Sequence, residues 1–321
     1  MIYVQYLILA GFVVFLSIFL SKYVDALDKK TNLSGAFIGG VLLAAVTSLP
    51  EFITSLTAIF SLNQPNLVQG NVFGSNIFNL TIIGACILLF PKRFKNSYLS
   101  KSHLLTSIFT IIIFFICLLG MKFNYSINLG FLNVSYASII ILILYAINIA
   151  KSNDNTSDDN TDTIDDNIVN LTVKQIIFRF VVCSLLLVIF SVLLTNVTDK
   201  LNTKLNLGTT IGGAIFLGIA TSLPELTSSF NLVRLGNFNA SFGNVIGSNI
   251  FNFTILSIGD IFYSKGNIFS PDKQSFNIII WGIISTIIVI STLYTKKSEK
   301  TSMFLGLLII ISYISSILFS I

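Results

Sequence analysis

Charge is what this sequence has least of. Only 10% of its 321 residues are Asp, Glu, Lys or Arg, against 54% that are hydrophobic, and the mean hydropathy is +0.86. A water-soluble chain of this length needs charges spread through every element, whereas here they cluster between long apolar runs, so the runs are built for lipid. Cysteine is scarce too. Cys86, Cys117 and Cys183 lie far apart inside apolar runs, which excludes a disulfide framework and a thiolate metal cluster. The single histidine, His103, stands at the edge of a run beside Lys101 and reads as a satisfied interfacial residue. Of five prolines, only Pro50 and Pro224 fall inside apolar runs, each immediately before a glutamate.

Crossing hydrocarbon takes about 20 residues of helix. Ten runs qualify, at roughly 2–21, 33–61, 71–90, 103–121, 131–150, 174–195, 206–231, 244–263, 275–294 and 301–320. The expected fold is therefore an all-α integral membrane protein of ten transmembrane helices. No Lys or Arg precedes the first run and Ser21-Lys22-Tyr23 is no small-residue cleavage site, so that run reads as a span and not as a cleaved signal. Alternating the ten spans puts fourteen Lys and Arg residues in loops on one side and five on the other. By the positive-inside rule the fourteen are cytoplasmic and both termini extracellular, which places the chain in the cell membrane. The net charge of +5 then reflects orientation and lipid contact, with no basic domain for nucleic acid.

The chain also repeats itself. GNVFGSNIFN at Gly70 to Asn79 returns as GNVIGSNIFN at Gly243 to Asn252, with one difference in ten. Upstream of each copy lies a second pair, GAFIGGVLLAAVTSLPE ending at Glu51 and GTTIGGAIFLGIATSLPE ending at Glu225. Residues 1–151 form a first five-helix repeat and 174–321 a second. Five is odd, so the second enters the membrane from the opposite side, and inverted repeats build substrate sites at the midplane where the halves meet. Between them, 152–173 is an Asp-, Asn- and Thr-rich cytoplasmic linker. Read as an EF-hand starting at Asp158, it has Thr163 where Gly is needed and Val169 where Glu is needed.

Of fourteen acidic residues only Glu51 and Glu225 lie deep in spans; Asp260, near a helix end, is expected to cap or to sit at the interface. A carboxylate at the bilayer centre costs about 3 kcal/mol on insertion scales and persists with a partner or a purpose. No intramembrane Lys or Arg is at hand, so a cation is the natural third party to two carboxylates facing each other across the repeat. Thr47 with Glu51, Ser75 with Asn79, Thr221 with Glu225 and Ser248 with Asn252 are each four apart, one helix face apiece. Carboxylate, hydroxyl, amide and carbonyl oxygens suit hard cations. Pro50 and Pro224 should bend their helices beside the glutamates. Gly70, Gly74, Gly243 and Gly247 should let helices approach closely.

The duplicated TSLPE and GSNIFN stretches resemble the alpha repeats of the sodium/calcium exchanger family, in the prokaryotic form without a regulatory insert. The resemblance implies a sodium/calcium antiporter, not an enzyme, that needs no cofactor and transports Ca2+ and Na+ by alternating access. It implies that Glu51 and Glu225 coordinate Ca2+, with Thr47, Ser48, Thr221 and Ser222 on the same helices and Ser75, Asn79, Ser248 and Asn252 on the adjoining ones. Ala44 and Gly218 fall where the family uses backbone carbonyls for outer sodium sites. Its partners are then the two ions and membrane lipid, with a monomer sufficient for transport. Many members carry Asp where this chain has Asn252, one titratable group more. A calcium/proton antiporter of the same superfamily is the nearest alternative, although that branch typically continues a GN pair as GNxxE, and both GN pairs here continue into GSN. A passive channel fits an inverted repeat less well, and an intramembrane aspartyl protease would need a second aspartate beside Asp260.

Overall fold

A computed structural model of the chain describes residues 2–31, 35–60, 63, 65–123, 125–128, 133–151, 171–204, 221–263, 265–296 and 298–319. The first apolar run is helix α1 (Ile2–Lys30). The second is broken: a turn of α2 (Gly35–Phe37), a π-helix (Ile38–Leu43) and α3 (Ala44–Thr47) lead to Ser48, beyond which α4 (Leu49–Phe60) leaves at 43°. There follow α5 (Pro65–Leu89), α6 (Pro91–Asn96), α7 (Ser102–Phe123), α8 (Tyr136–Lys151), α9 (Val173–Lys204), α10 (Leu223–Arg234), α11 (Phe238–Phe262), α12 (Lys273–Thr295) and α13 (Glu299–Leu318). Seven of these helices are long and apolar enough to cross a membrane, and the bent pair makes eight. The protein is thus a multi-span membrane protein. Helix α8 has 16 residues, short of a comfortable crossing. In the seventh expected span only residues 221–231 are described, from Leu223 on within α10; its upstream part lies outside the described residues.

The fold is all-helical as expected, apart from one pair of three-residue strands among the described residues. Ser126–Asn128 and Asn133–Ser135 pair antiparallel, Ile127 opposite Val134. The strand takes the start of the fifth expected span, and its end is pinned by Asp260, which accepts hydrogen bonds from Ser135 N (2.8 Å) and Ser138 Oγ (2.7 Å). Asp260 is buried and anchors the entry to α8, where Ser135 Oγ accepts from Ala137 N (3.2 Å).

The spans are sorted by polarity. Helix α11 has a mean hydropathy of 1.4 over its apolar window and 78% of that window is buried, while the apolar segment of α9 has 2.8 and is 22% buried. In lipid an apolar surface costs nothing to expose, so the most polar helices go to the centre, where their groups find each other. Helices α5 and α11, the two that carry GSNIFN, occupy that centre, and α1 and α9 pack together at the periphery. Helix α11 lies directly on the π-helix: a Cβ on Gly247 would stand 2.1 Å from Gly40 O, and one on Gly243 2.9 Å from Ala36 O. Close approach therefore explains Gly243 and Gly247. A Cβ on Gly70 or Gly74 would meet nothing within 4 Å among the described residues beyond its own helix backbone.

The turn between α10 and α11 is sharp. Gly236 adopts φ 87°, a conformation open to glycine, and Asn237 then caps α11 through Ala240 N (2.9 Å). The same asparagine donates to Asp25 Oδ1 and Asp28 Oδ2 of α1. His103 is buried, with Nε2 2.7 Å from Asn239 Oδ1, a satisfied residue as expected though deeper than a span's edge suggests. The three cysteines are free.

Candidate functional site

The two breaks that follow the TS pairs are alike. Ser48 has φ −90° and ψ 5°, Ser222 has φ −87° and ψ 9°, and each lies two residues before a proline, whose ring cannot continue the preceding hydrogen-bond ladder. Helices α4 and α10 therefore restart beside the break, with Glu51 and Glu225 in their first turns, where the helix dipole favours a negative charge.

Each break reaches across to the other glutamate. Ser48 Oγ donates to Glu225 Oε1 (2.9 Å), and Ser222 Oγ donates to Glu51 Oε1 (3.0 Å). Both glutamates are fully buried, and the two carboxyl groups are close enough to interact electrostatically. The ion pairs among the described residues, Lys29–Asp25 and Lys95–Glu299, involve neither of them.

Helices α5 and α11 complete the surroundings. Ser248 Oγ is 3.4 Å from both Glu225 Oε1 and Ala44 O, and Thr47 Oγ1 has Leu43 O, Ala44 O and Asn244 Oδ1 within 3.3 Å. Thr221 is buried in the turn before Ser222, and Ser75 and Thr221 both face the Glu51 carboxyl. Ten of the twelve sequence-derived positions are buried polar side chains: Thr47, Ser48, Glu51, Ser75, Asn79, Thr221, Ser222, Glu225, Ser248 and Asn252. Ala44 brings its carbonyl to Ser248; Gly218 lies outside the described residues.

Several of these atoms have nothing to bond. Glu51 Oε2, Glu225 Oε2, Ser75 Oγ, Asn79 Oδ1 and Nδ2, and Asn252 Oδ1 are buried without a hydrogen-bond partner among the described residues. Buried polar groups in native proteins are nearly always paired, and an unpaired one costs about 1–3 kcal/mol, more when charged. Most of these atoms are oxygens, and they come from four helices. The arrangement can do one thing well, which is to replace the hydration shell of a small hard cation.

Four asparagines escaped the sequence reading. Asn71 Nδ2 donates to Glu51 O (3.1 Å) and Ser55 Oγ (3.0 Å), while Asn244 Nδ2 donates to Ser228 Oγ (3.1 Å) and Ser229 Oγ (2.8 Å). Asn76 Nδ2 donates to Asn249 O (3.2 Å), and Asn249 Nδ2 returns a bond to Asn76 O (3.0 Å). The signal was present, since all four recur at matching places in the two GNVxGSNIFN copies.

A family profile described as "Sodium/calcium exchanger protein" matches residues 2–151 and 176–321. Among curated proteins the chain is 28% identical over 298 residues to the sodium/calcium exchanger MaX1 of Methanosarcina acetivorans, covering 82% of this chain and 84% of that one. It is 27% identical over 239 residues to the putative antiporter CaxA of Alkalimonas amylolytica, covering 74% and 73%. Among solved structures it superposes on the sodium-calcium exchanger NCX_Mj soaked with 100 mM Na+ and 10 mM Sr2+ with a TM-score of 0.76, at 21% identity and over 99% and 98% of the two chains. That likeness concerns the fold.

Proposed function

The chain belongs to the sodium/calcium exchanger family, and on that premise we propose that it is a sodium/calcium antiporter whose cations bind between Glu51 and Glu225 at the bilayer midplane. The observation that carries the reading is the set of buried, unpartnered oxygens on Glu51, Glu225, Ser75, Asn79 and Asn252. Thr47, Ser48, Thr221, Ser222 and Ser248 supply further oxygens, with the Ala44 and Gly218 carbonyls flanking. Ten transmembrane helices in two inverted five-helix repeats, with both termini outside and the linker in the cytoplasm, form the frame. The reciprocal bonds Ser48–Glu225 and Ser222–Glu51 support the symmetry, and the ion pair between Lys95 and Glu299, from two segments assigned to the cytoplasmic side, supports the sidedness.

Exchange follows from the electrostatics. An empty site would carry two carboxylates and several bare dipoles through the membrane interior with no counter-charge, an unfavourable state. One Ca2+ neutralises both carboxylates, and so do two Na+. A loaded carrier therefore reorients more readily than an empty one, and outward movement of one ion is coupled to inward movement of the other. Asn252 contributes a neutral oxygen, leaving two titratable groups at the centre. The whole site comes from one chain, so a monomer is sufficient.

Proteoliposomes loaded with Na+ and given labelled Ca2+ outside test the reading. Uptake should be concentrative and should collapse when a sodium ionophore dissipates the gradient. Equal uptake driven by a proton gradient alone would replace sodium by the proton, and flux without concentration would mean a channel.

A further inference from the structure

The asparagines at the centre are not arranged alike in the two halves. Asn252 Nδ2 donates to Asn76 Oδ1 at 2.9 Å, which turns its own Oδ1 away from Asn76 and leaves that oxygen without a partner. The equivalent bond in the other half would run from Asn79 Nδ2 to Asn249 Oδ1. It is not made: both atoms are buried and unpartnered among the described residues. The backbones do not prevent it, because the Asn76–Asn249 exchange of side-chain-to-carbonyl bonds holds α5 and α11 in the same relation from either side. What differs between the halves is this one hydrogen bond.

We propose that Asn76 and Asn249 are positioning residues that aim the amides of Asn252 and Asn79 at the cation, and that Asn79 is the one that turns when an ion binds. In the arrangement seen here Asn252 already makes its bond to Asn76, whereas the Asn79 donor and the Asn249 acceptor are both unsatisfied. An ion drawing Asn79 Oδ1 toward itself swings Nδ2 to the opposite side of the amide, where Asn249 Oδ1 can accept it. Ion binding and the missing hydrogen bond then form together, each making the other more favourable. Neither Asn76 nor Asn249 touches the ion, so each acts through its partner asparagine.

The inference rests on the cation site proposed above, and the experiment separates the two. Purified full-length chain is dialysed to equilibrium against labelled Ca2+, with labelled Na+ in parallel, for wild type, Asn249→Ala, Asn79→Ala and the double variant. Asn249→Ala is expected to weaken Ca2+ binding about ten-fold, the weight of one ordinary hydrogen bond; Asn79→Ala, which also removes a ligand oxygen, by at least as much; and the double by no more than Asn79→Ala alone. A double variant weakened about ten-fold beyond Asn79→Ala, with independent losses, would make Asn249 a packing residue and overturn the inference while leaving the site intact. An unaltered affinity in Asn249→Ala overturns it as well. A wild type that binds neither ion overturns the proposed function and this inference with it. Wild type also answers without any variant: a structure at saturating Ca2+ should have Asn79 Nδ2 within hydrogen-bond distance of Asn249 Oδ1, and an open bond there refutes the proposal.

Discussion

Gly247→Ala is the sharpest test of how the site is assembled. The new methyl carbon would lie 2.1 Å from Gly40 O and 2.6 Å from Gly40 C and Cα, where ordinary contact begins at 3.4 Å. These are backbone atoms that no rotamer change can remove, so α11 and the π-helix must part by roughly 1 Å or more. Overpacking of this kind costs about 1–3 kcal/mol, and the upper end applies where backbone meets backbone. Alanine's better helix propensity offsets about 1 kcal/mol, leaving a net loss of about 2 kcal/mol. The damage is also local to the site. Ser248, the next residue, is 3.4 Å from Glu225 Oε1 and from Ala44 O, and a shift of that size takes both beyond reach. Thermal unfolding in detergent and Ca2+ binding should both be measured beside Gly11→Ala, where nothing lies within 4 Å among the described residues. Gly247→Ala should melt earlier and bind Ca2+ about ten-fold more weakly or worse. If the two variants behave alike, the close backbone approach is not what builds the site.

Glu51→Gln removes one unit of negative charge, and at about 4 Å with an effective dielectric near 20 that charge is worth about 4 kcal/mol to Na+ and twice that to Ca2+. Competition binding should therefore show the loss in log affinity for Ca2+ about twice that for Na+; equal losses would place the carboxylate away from the ion. Asn252→Asp sets a third carboxylate against Asn76 Oδ1, a fellow acceptor, and so should change the pH dependence of Ca2+ uptake by proteoliposomes while transport persists. Asp260→Asn leaves an amide NH2 facing at least one of the buried donors Ser135 N, Ser138 Oγ and Ile268 N. It should destabilise the protein by about 1–3 kcal/mol and leave cation affinity unchanged, which unfolding and binding assays on one sample would check.

The existence of several apolar spans and the burial of the two glutamates could be read from the chain because they depend on local properties, hydropathy and charge, that each residue carries by itself. Repetition added more, because TSLPE and GSNIFN occur twice and so mark which residues belong together. What could not be read was pairing. Nothing in either copy says that Ser48 bonds Glu225 and not Glu51, since the crossing depends on how two broken helices meet. Asn76 and Asn249 sit one residue from Ser75 and Ser248, on another helix face, so a search for oxygens four apart passed over them. Asp260 was legible as a helix-end residue, while the strand it holds was not: three residues are too few for an alternating pattern to stand out from an apolar run. Gly243 and Gly247 pack on the segment that holds Gly39 and Gly40, and the counterparts of those two glycines on the Gly70 and Gly74 side, Gly212 and Gly213, lie outside the described residues.

The central claim is that a cation sits between Glu51 and Glu225, and anomalous diffraction from crystals soaked in Ca2+ or Sr2+ tests it most directly. The predicted result is one strong peak within about 2.3–2.6 Å of a carboxylate oxygen from each glutamate, lost in the Glu51→Gln, Glu225→Gln double variant. A peak elsewhere with these two carboxylates bare, or one that survives the double substitution, would contradict the account.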